Sequence, residues 1–526
     1  MPPKSALRVF LASVLVLFLC GCSSLPVEVA RTESKALNGT GDTRLGQGVR
    51  EMAARHPDKS GIRALSIANE AFAARMLLAR AAERSLDLQY YIWHRDTTGQ
   101  LLWEEVWKAA MRGVRVRVLL DDANTGGLDA MLATLDAHPN IELRLFNPFA
   151  NRGFRAGDLL RDFSRVNRRM HNKSFTADNQ VAIVGGRNIG DEYFGANMEV
   201  GFQDLDVMTV GPVVREVSQE FDLFWNSASA YPATSLLPPA GPDGVAQLQA
   251  SWAANRDRPE ARAYAEATHQ TPLVSQLAHG QVEFEWTSAH VIHDDPAKTL
   301  APLDRTDLHM LPRLEQALGQ PTRELDLVSP YFVPGKSGTA GLTTLAKRGV
   351  KVRVLTNSLS ATDVAPVHAG YAKYRRQLLE AGITLYELKP GAAVPPPSED
   401  NRPHGLPGSG STGGGSAASL HAKTFAADRK RLFVGSFNLD PRSASLNTEM
   451  GVVIDSPSLA NQLSSQLDSR LPNAAYRVRL TPEGQIEWIE RGANGQDTHY
   501  TTEPGTSRMR RLWVDFLEML PIESLL

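Results

Sequence analysis

One polar pattern occurs twice in this chain. HNKSFTADNQVAIVGGRN (His171 to Asn188) is nearly rewritten as HAKTFAADRKRLFVGSFN (His421 to Asn438), with eight of eighteen positions identical. Core packing accounts for the shared Phe and Val, but it has no use for a repeated His, Lys, Asp and Asn. In an extended HxK segment alternate side chains share a face, so His171 projects with Lys173 and His421 with Lys423. One copy is half a site. Two copies folded about a pseudo-twofold axis bring two imidazoles and two ammonium groups to one cleft. Such a set suits a phosphodiester, whose anionic oxygens the lysines cradle together with amide and hydroxyl donors from Asn188, Asn438 and Ser436. One imidazole can attack phosphorus while the other protonates the departing oxygen, which divides the reaction into two displacements. Spacing does not say which attacks. The sequence has no carboxylate cluster or HxH grouping that argues for a metal, so neither metal nor cofactor is expected.

Carboxylates complete the candidate set. Asp204 in FQDLDV and Glu449 in NTEMGV occupy corresponding places in the two copies, where each can orient an imidazole and fix its tautomer. Asp178 and Asp428, five residues after the lysines, join His171, Lys173, His421 and Lys423 as the candidate catalytic residues. For these two aspartates a local role, holding a turn through backbone hydrogen bonds, is favoured over chemistry.

The elements that must position these groups are also repeated. SLDLQYYIW (Ser85 to Trp93) and LLWEEVWKAAMRGVRVRVLLDD (Leu101 to Asp122) are echoed by ELDLVSPYFVP (Glu324 to Pro334) and GLTTLAKRGVKVRVLTNS (Gly341 to Ser358). Each pair reads strand, helix, strand. Leu102, Val106 and Ala109 lie at helical spacing, Gly113 and Gly349 stop the helices, and β-branched runs suit buried strands. Further strands follow at Ile141 to Pro148 and Ile383 to Pro390. VAIVGG and RLFVGS then place Asn188 and Asn438 just past a strand's carboxyl end, where sites in open α/β sheets gather. The fold class is therefore α/β: two similar α/β/α sandwich domains with pseudo-twofold symmetry and one active site between them. The expected organisation is a leader over 1–21, an extension over 22–60, a first domain over 61–230 and a connector with short helices over 231–320. A second domain over 321–475 and a C-terminal segment over 476–526 complete it. No chemistry stands out in the connector.

The paired HxKxxxxD segments, backed by GGRN (Gly185 to Asn188) and GSFN (Gly435 to Asn438), resemble the phospholipase D superfamily. Within it, LDLQYYIW, RLFNPF, GGRNIGDEYF, VHAGYAKYRRQLL, GSFNLDPRS and LNTEMG resemble the bacterial cardiolipin synthases, closest to their C type. The resemblance implies metal-free catalysis with His171 as nucleophile and His421 as acid and then base. It also implies a phosphatidyltransferase that forms cardiolipin from phosphatidylglycerol and a second phospholipid, phosphatidylethanolamine being a candidate. Hydrolysis of phospholipid or, less favoured, of nucleic acid is the alternative reading, and a non-catalytic envelope scaffold is the third. One departure is read in GGRN, where Arg187 stands in place of Ser436 and makes the phosphate cradle asymmetric.

The remaining features concern location and access. At 526 residues and 42% hydrophobic content the chain can fill more than one core, and a formal charge of −2 argues against a dedicated nucleic-acid binder. Lys4 and Arg8, an apolar run from Val9 to Leu19, and LCGC ending at Cys22 read as a bacterial lipoprotein leader lipidated at Cys22. An uncleaved anchor and a plain secretory peptide remain open. Lipidation places the site in the cell envelope beside a membrane surface, on the periplasmic side of the inner or outer membrane. Gly391 to Ser419, rich in Gly, Ser and Pro, reads as a lid over the site or as an idle insertion. His368, Tyr371, Tyr374 and Arg375 read either as part of an acceptor pocket or as an ordinary helix. Met509, Trp513, Phe516 and Leu520, with Arg508 and Arg511 beside them, suit a headgroup interface or packing on the second domain.

Overall fold

The computed structural model describes residues 24–197, 200–279, 281–392, 417–492 and 494–526. The apolar leader, Cys22 and the centre of the Gly/Ser/Pro-rich segment lie outside the described residues.

The first half builds its sheet from β1 (Ser60–Leu65), β2 (Ser85–Tyr90), β3 (Arg115–Asp121), β4 (Ile141–Phe146), β5 (Ser174–Ala177) and β6 (Val181–Gly185). A short β7 (Val200–Gln203) stands apart, and β8 (Asp206–Val210), β9 (Ala230–Pro232) and β10 (Glu285–Thr287) complete the sheet. Among the described residues its order is β10-β1-β8-β6-β5-β2-β3-β4-β9. Strands β2, β3 and β4 are parallel and the other pairings antiparallel.

The second half repeats this plan with β11 (Ala289–His293), β12 (Glu324–Val328), β13 (Lys351–Asn357) and β14 (Thr384–Leu388). It continues with β15 (Ala417–Leu420), β16 (Lys423–Ala427), β17 (Arg431–Gly435) and β18 (Met450–Ile454), then β19 (Ala475–Leu480), β20 (Ile486–Arg491) and β21 (Asp497–Tyr500). The order is β11-β18-β17-β16-β12-β13-β14-β19-β20-β21, while β15 pairs with β7. Thus β17-β16-β12-β13-β14 mirrors β6-β5-β2-β3-β4, and β11 flanks β18 as β1 flanks β8. The stretch between the halves carries helices Gly244–Asp257, Pro259–His269 and Pro272–Ala278, and it gives β10 to one sheet and β11 to the other.

Helices cover the sheets: α1 (Thr97–Met111), the short α2 (Arg155–Arg161) and α3 (Phe163–Val166), and α4 (Pro212–Trp225) in the first half. The second half has α5 (Gly335–Lys347), α6 (Ala365–Glu380), α7 (Pro457–Ala474) and α8 (Arg508–Glu518). Asp96 caps α1 by accepting from the Gly99 amide, and Gly113, at φ 93°, turns the chain into β3.

Period-two alternation decides how the halves meet. Along β6, Val181 and Ile183 enter the first half's own core, whereas Ala182 and Val184 enter a second core. That second core mixes both halves, joining Val184 and Val207 to Val434, Val452 and Leu467. Burying side chains of this size is worth about 1.5–3 kcal/mol each, so an apolar seam fixes the two sheets against each other.

Candidate active site

His171 and His421 lie in the extended approaches to β5 and β16, directly before the strands begin. Lys173 and Lys423 project beside them, and each ammonium donates to the carbonyl of its own histidine, His171 or His421. Both lysines are almost fully buried.

The histidine of each half is oriented by the other half. Met170, just before His171, bridges to Thr448, and the His171 amide donates to the Thr448 carbonyl at 2.8 Å. This places Glu449 against the first imidazole, with Oε2 2.8 Å from His171 Nδ1. The counterpart is β15 running parallel to β7, pairing Leu420 with Gln203. The His421 amide donates to the Gln203 carbonyl at 2.8 Å, and Asp204 Oδ2 sits 2.5 Å from His421 Nδ1. An ionised carboxylate is an acceptor only, so each carboxylate holds a proton on Nδ1 and leaves Nε2 as the position that is free in the neutral ring and protonated in the imidazolium.

Electrostatics join the pairs into one site. Burial pushes His171 well below the usual imidazole range, helped by Lys173, Lys423 and His421. Burial also lowers His421, with Lys423 and Lys173 adding to it and Asp204 opposing. Lys423 is brought down to about 8 by burial, against the pull of Asp204 and Glu449. The two orienting carboxylates differ. His421, Lys423 and Arg187 hold Asp204 well below the carboxylate range against its burial, whereas burial pushes Glu449 up to about 7.

Asp178 and Asp428 stand at the opposite end of β5 and β16. Asp178 accepts from the amides of Glu83, Arg84 and Ser85 at 2.7–3.2 Å. Asp428 accepts from the amides of Thr322, Arg323 and Glu324 at 2.8–3.1 Å. Both occupy left-handed backbone, φ 52° and 54°, and with Asn179 and Arg429 they form the hairpin turns that lead into β6 and β17. They clamp the start of β2 and β12 and touch neither imidazole.

The expected phosphate donors are partly committed elsewhere. Ser436 Oγ donates to Glu449 Oε2 at 2.5 Å and accepts from the Met450 amide at 3.0 Å, so it supports the carboxylate. Asn188 accepts from the Ile92 amide at 3.2 Å and donates to Tyr193 Oη at 3.0 Å. Asn438 is buried, and among the described residues its Oδ1 has no partner. The reading of Arg187 requires correction. Counted from the histidines, Gly186 is the counterpart of Ser436, and Arg187 matches Phe437. Arg187 turns away to the carbonyls of Leu65, Ser66 and Asp204 at 2.6–2.9 Å. The asymmetry lies in Gly186: a Cβ there would fall 2.1 Å from Asp204 Oδ1.

Several contributors carried no chemical signal. Tyr91 packs edge-on to His171 at 5.2 Å, and Tyr193 and Phe202 pack on His421 at 5.2 and 5.0 Å. Tyr91 and Tyr193 sit within YYIW and GDEYF, so their position beside the repeated motifs was the available clue. Asp294, from the stretch between the halves, accepts from the Glu449 amide at 2.8 Å and pairs with buried Lys298 at 2.9 Å. Behind the site, Asn172 donates to Glu220 at 2.7 Å and accepts from Thr448 Oγ1 at 3.0 Å; burial raises Glu220 to about 8. His368 and Arg375 are buried and occupied, each contacting Glu503, at 2.9 and 2.8 Å.

Comparisons with known proteins agree with this architecture. The family described as cardiolipin synthase, PLD-like domain, matches residues 77–225 and 314–471. The chain is 46% identical to a cardiolipin synthase C of Escherichia coli (strain K12), covering 92% of this chain and 100% of that protein. It is 26% identical to a cardiolipin synthase A of Pseudomonas putida (strain GB-1), covering 75% of this chain and 65% of the relative. Among solved structures, phosphatidylserine synthase of Haemophilus influenzae Rd KW20 shares the fold with a TM-score of 0.54 at 14% identity, over 91% of this chain and 100% of that one.

Proposed function

This chain belongs to the cardiolipin synthase, PLD-like domain family, and from that premise we propose that it is a phosphatidyltransferase that makes cardiolipin from phosphatidylglycerol and a second phospholipid. The observation that carries the mechanism is the crossed pairing of each imidazole with the other half's carboxylate. Nε2 of His171 attacks phosphorus, the bond from phosphorus to the headgroup oxygen breaks, and His421 gives its proton to the departing alcohol. A hydroxyl of a second phosphatidylglycerol then loses its proton to His421, and its oxygen takes phosphorus from His171. With phosphatidylglycerol as donor the products are cardiolipin and glycerol; with phosphatidylethanolamine as donor the departing alcohol is ethanolamine.

The assignment of roles is supported by the carboxylates. Ionised Asp204 favours an imidazolium at His421, which suits the acid, while Glu449, with its raised pKa, gives His171 less such stabilisation and suits a neutral nucleophile. Lys173 and Lys423 supply the charge that the spreading negative charge on the phosphoryl oxygens requires.

The test is to incubate the purified chain with phosphatidylglycerol vesicles, with and without phosphatidylethanolamine, and to resolve cardiolipin, phosphatidic acid and the released alcohol. Cardiolipin with an equal amount of released alcohol supports transfer, phosphatidic acid alone assigns hydrolysis, and unchanged lipid sinks both. Location in the envelope through lipid on Cys22 is part of the proposal, supported by the leader sequence. Incorporation of labelled acyl chains that Cys22→Ser abolishes would establish it. No helix among the described residues is long and apolar enough to cross a membrane.

A further inference from the structure

The phosphorus of a bilayer lipid lies at the headgroup level, so a cleft that acts on it must face that level closely. This reasoning rests on the proposal that the substrate is a phospholipid. Two segments carry unburied apolar side chains and are linked through Arg442 to the chain just before His171. The first is α2 with α3, where Phe154, Leu160 and Phe163 are 60%, 89% and 45% exposed. The second is α8, which packs Val514 and Leu517 with Leu359 and Ala369. Its other side leaves Met509, Trp513 and Phe516 exposed, with the two rings stacked at 5.6 Å.

Both segments are tied to the same rim by one guanidinium. Arg442, shortly after Asn438, donates to the Asn167 carbonyl at 3.0 Å and to Asn167 Oδ1 at 2.8 Å. It also donates to the Leu525 carbonyl at 2.8 Å. Asn167 caps α3 and precedes His171 by four residues, while Leu525 lies a short way beyond α8. On the far side, Arg510 of α8 donates to the Thr362 carbonyl at 3.1 Å, next to Asp363, whose carboxylate accepts from Tyr331 Oη. The local charge is positive: of the charged residues in 154–169 that are not buried, four are arginines and one is an aspartate, and α8 carries Arg508, Arg510 and Arg511 against Asp515 and Glu518.

We propose that α2, α3 and α8 form one docking surface that seats in the headgroup region of an anionic phospholipid leaflet, with the cleft between them facing the lipid phosphates. Aromatic and aliphatic side chains flanked by arginine match the boundary between headgroups and acyl chains, where an amphipathic segment buries its apolar side about 5–10 Å deep. The charge selects an anionic leaflet over a second copy of this equally arginine-rich surface.

The experiment uses the full chain carrying His171→Asn, which separates docking from turnover, and Cys20→Ser with Cys22→Ser, which removes the native thiols. An environment-sensitive fluorophore is attached at Leu160→Cys, at Trp513→Cys or, as control, at Val245→Cys on the Gly244–Asp257 helix. Vesicles contain phosphatidylglycerol with brominated acyl chains. Expected are a blue shift and loss of about half the emission at 160 and 513, reduced by high salt, with no change at 245. Emission at 160 and 513 that tracks 245 overturns the proposal. A blue shift without vesicles that grows with protein concentration also overturns it, assigning the surface to a second copy. Turnover by the otherwise unaltered chain reads the enzymatic proposal separately: docking without cardiolipin formation would sink that reading and leave this one standing.

Discussion

Glu449 and Asp204 do the same job in opposite fields, and the difference predicts how the enzyme responds to pH. Burial pushes Glu449 up to about 7, outweighing Lys173 and the hydrogen bond from Ser436. Above that pH it is ionised and accepts the Nδ1–H of His171; as pH falls through about 7 it gains a proton and the acceptor is lost. Turnover should therefore drop on the acid side of neutrality, and Glu449→Gln should flatten that limb while lowering kcat by about 10²–10⁴-fold, as read from a pH–rate profile. Asp204 stays ionised throughout, so Asp204→Asn should lower kcat without moving that limb. The histidine roles separate when the leaving group is good. With a nitrophenyl phosphodiester no acid is needed for the first step, so His421→Ala should accumulate a covalent adduct on His171 that peptide mass spectrometry locates. An adduct on neither histidine, or unimpaired turnover in both His171→Ala and His421→Ala, would remove the covalent mechanism.

At the scale of elements, the hairpin turns and the glycine before Arg187 do work that resembles catalysis in a sequence but is structural in space. Asp178 ties three amides at the start of β2, and removing it in Asp178→Ala leaves buried donors unpaired at a cost of about 3 kcal/mol. The expected result is a lower unfolding temperature, with the folded fraction retaining its turnover per molecule. Asp428 is held down to about 2, the net result of amide hydrogen bonds from Arg323, Glu324 and Thr322 outweighing desolvation. A depressed folded pKa means this contribution is present above the ordinary aspartate range and is lost as pH falls through about 2. Gly186→Ala tests the opposite case. Its Cβ would collide with the Asp204 carboxylate, so the variant should stay folded by circular dichroism yet lose His421 orientation and turnover. The repeated β-branched runs and stop glycines made these elements legible, because helix and strand periods are local properties. The assignment of Arg187 to the place of Ser436 failed for a plain reason of register: both copies hold glycine at 185 and 435, and the next residue, Gly186, has no side chain to attract notice.

Over the whole molecule, the site exists only where the two sheets dock. Asp294 shows the reach of that arrangement: it directly follows β11, accepts from the amides of Glu449 and Met310 at 2.8 and 2.7 Å, and neutralises buried Lys298. Asp294→Ala leaves that ammonium unpaired, with an expected loss of about 3–5 kcal/mol and a fall in kcat through Glu449, checked by thermal unfolding and steady-state rates on one preparation. By itself the sequence determined the doubled α/β plan, the pairing of each histidine with its lysine, and a carboxylate downstream of each motif, since all three follow from repeat and period along the chain. Tertiary structure alone decided that each carboxylate serves the other half's histidine, that Ser436 supports Glu449, and that Asp294 braces the site from the stretch between the halves. Except for Ser436 and Glu449, which meet within one half, those contacts join residues more than a hundred positions apart, and no local period records which surfaces an apolar seam brings together.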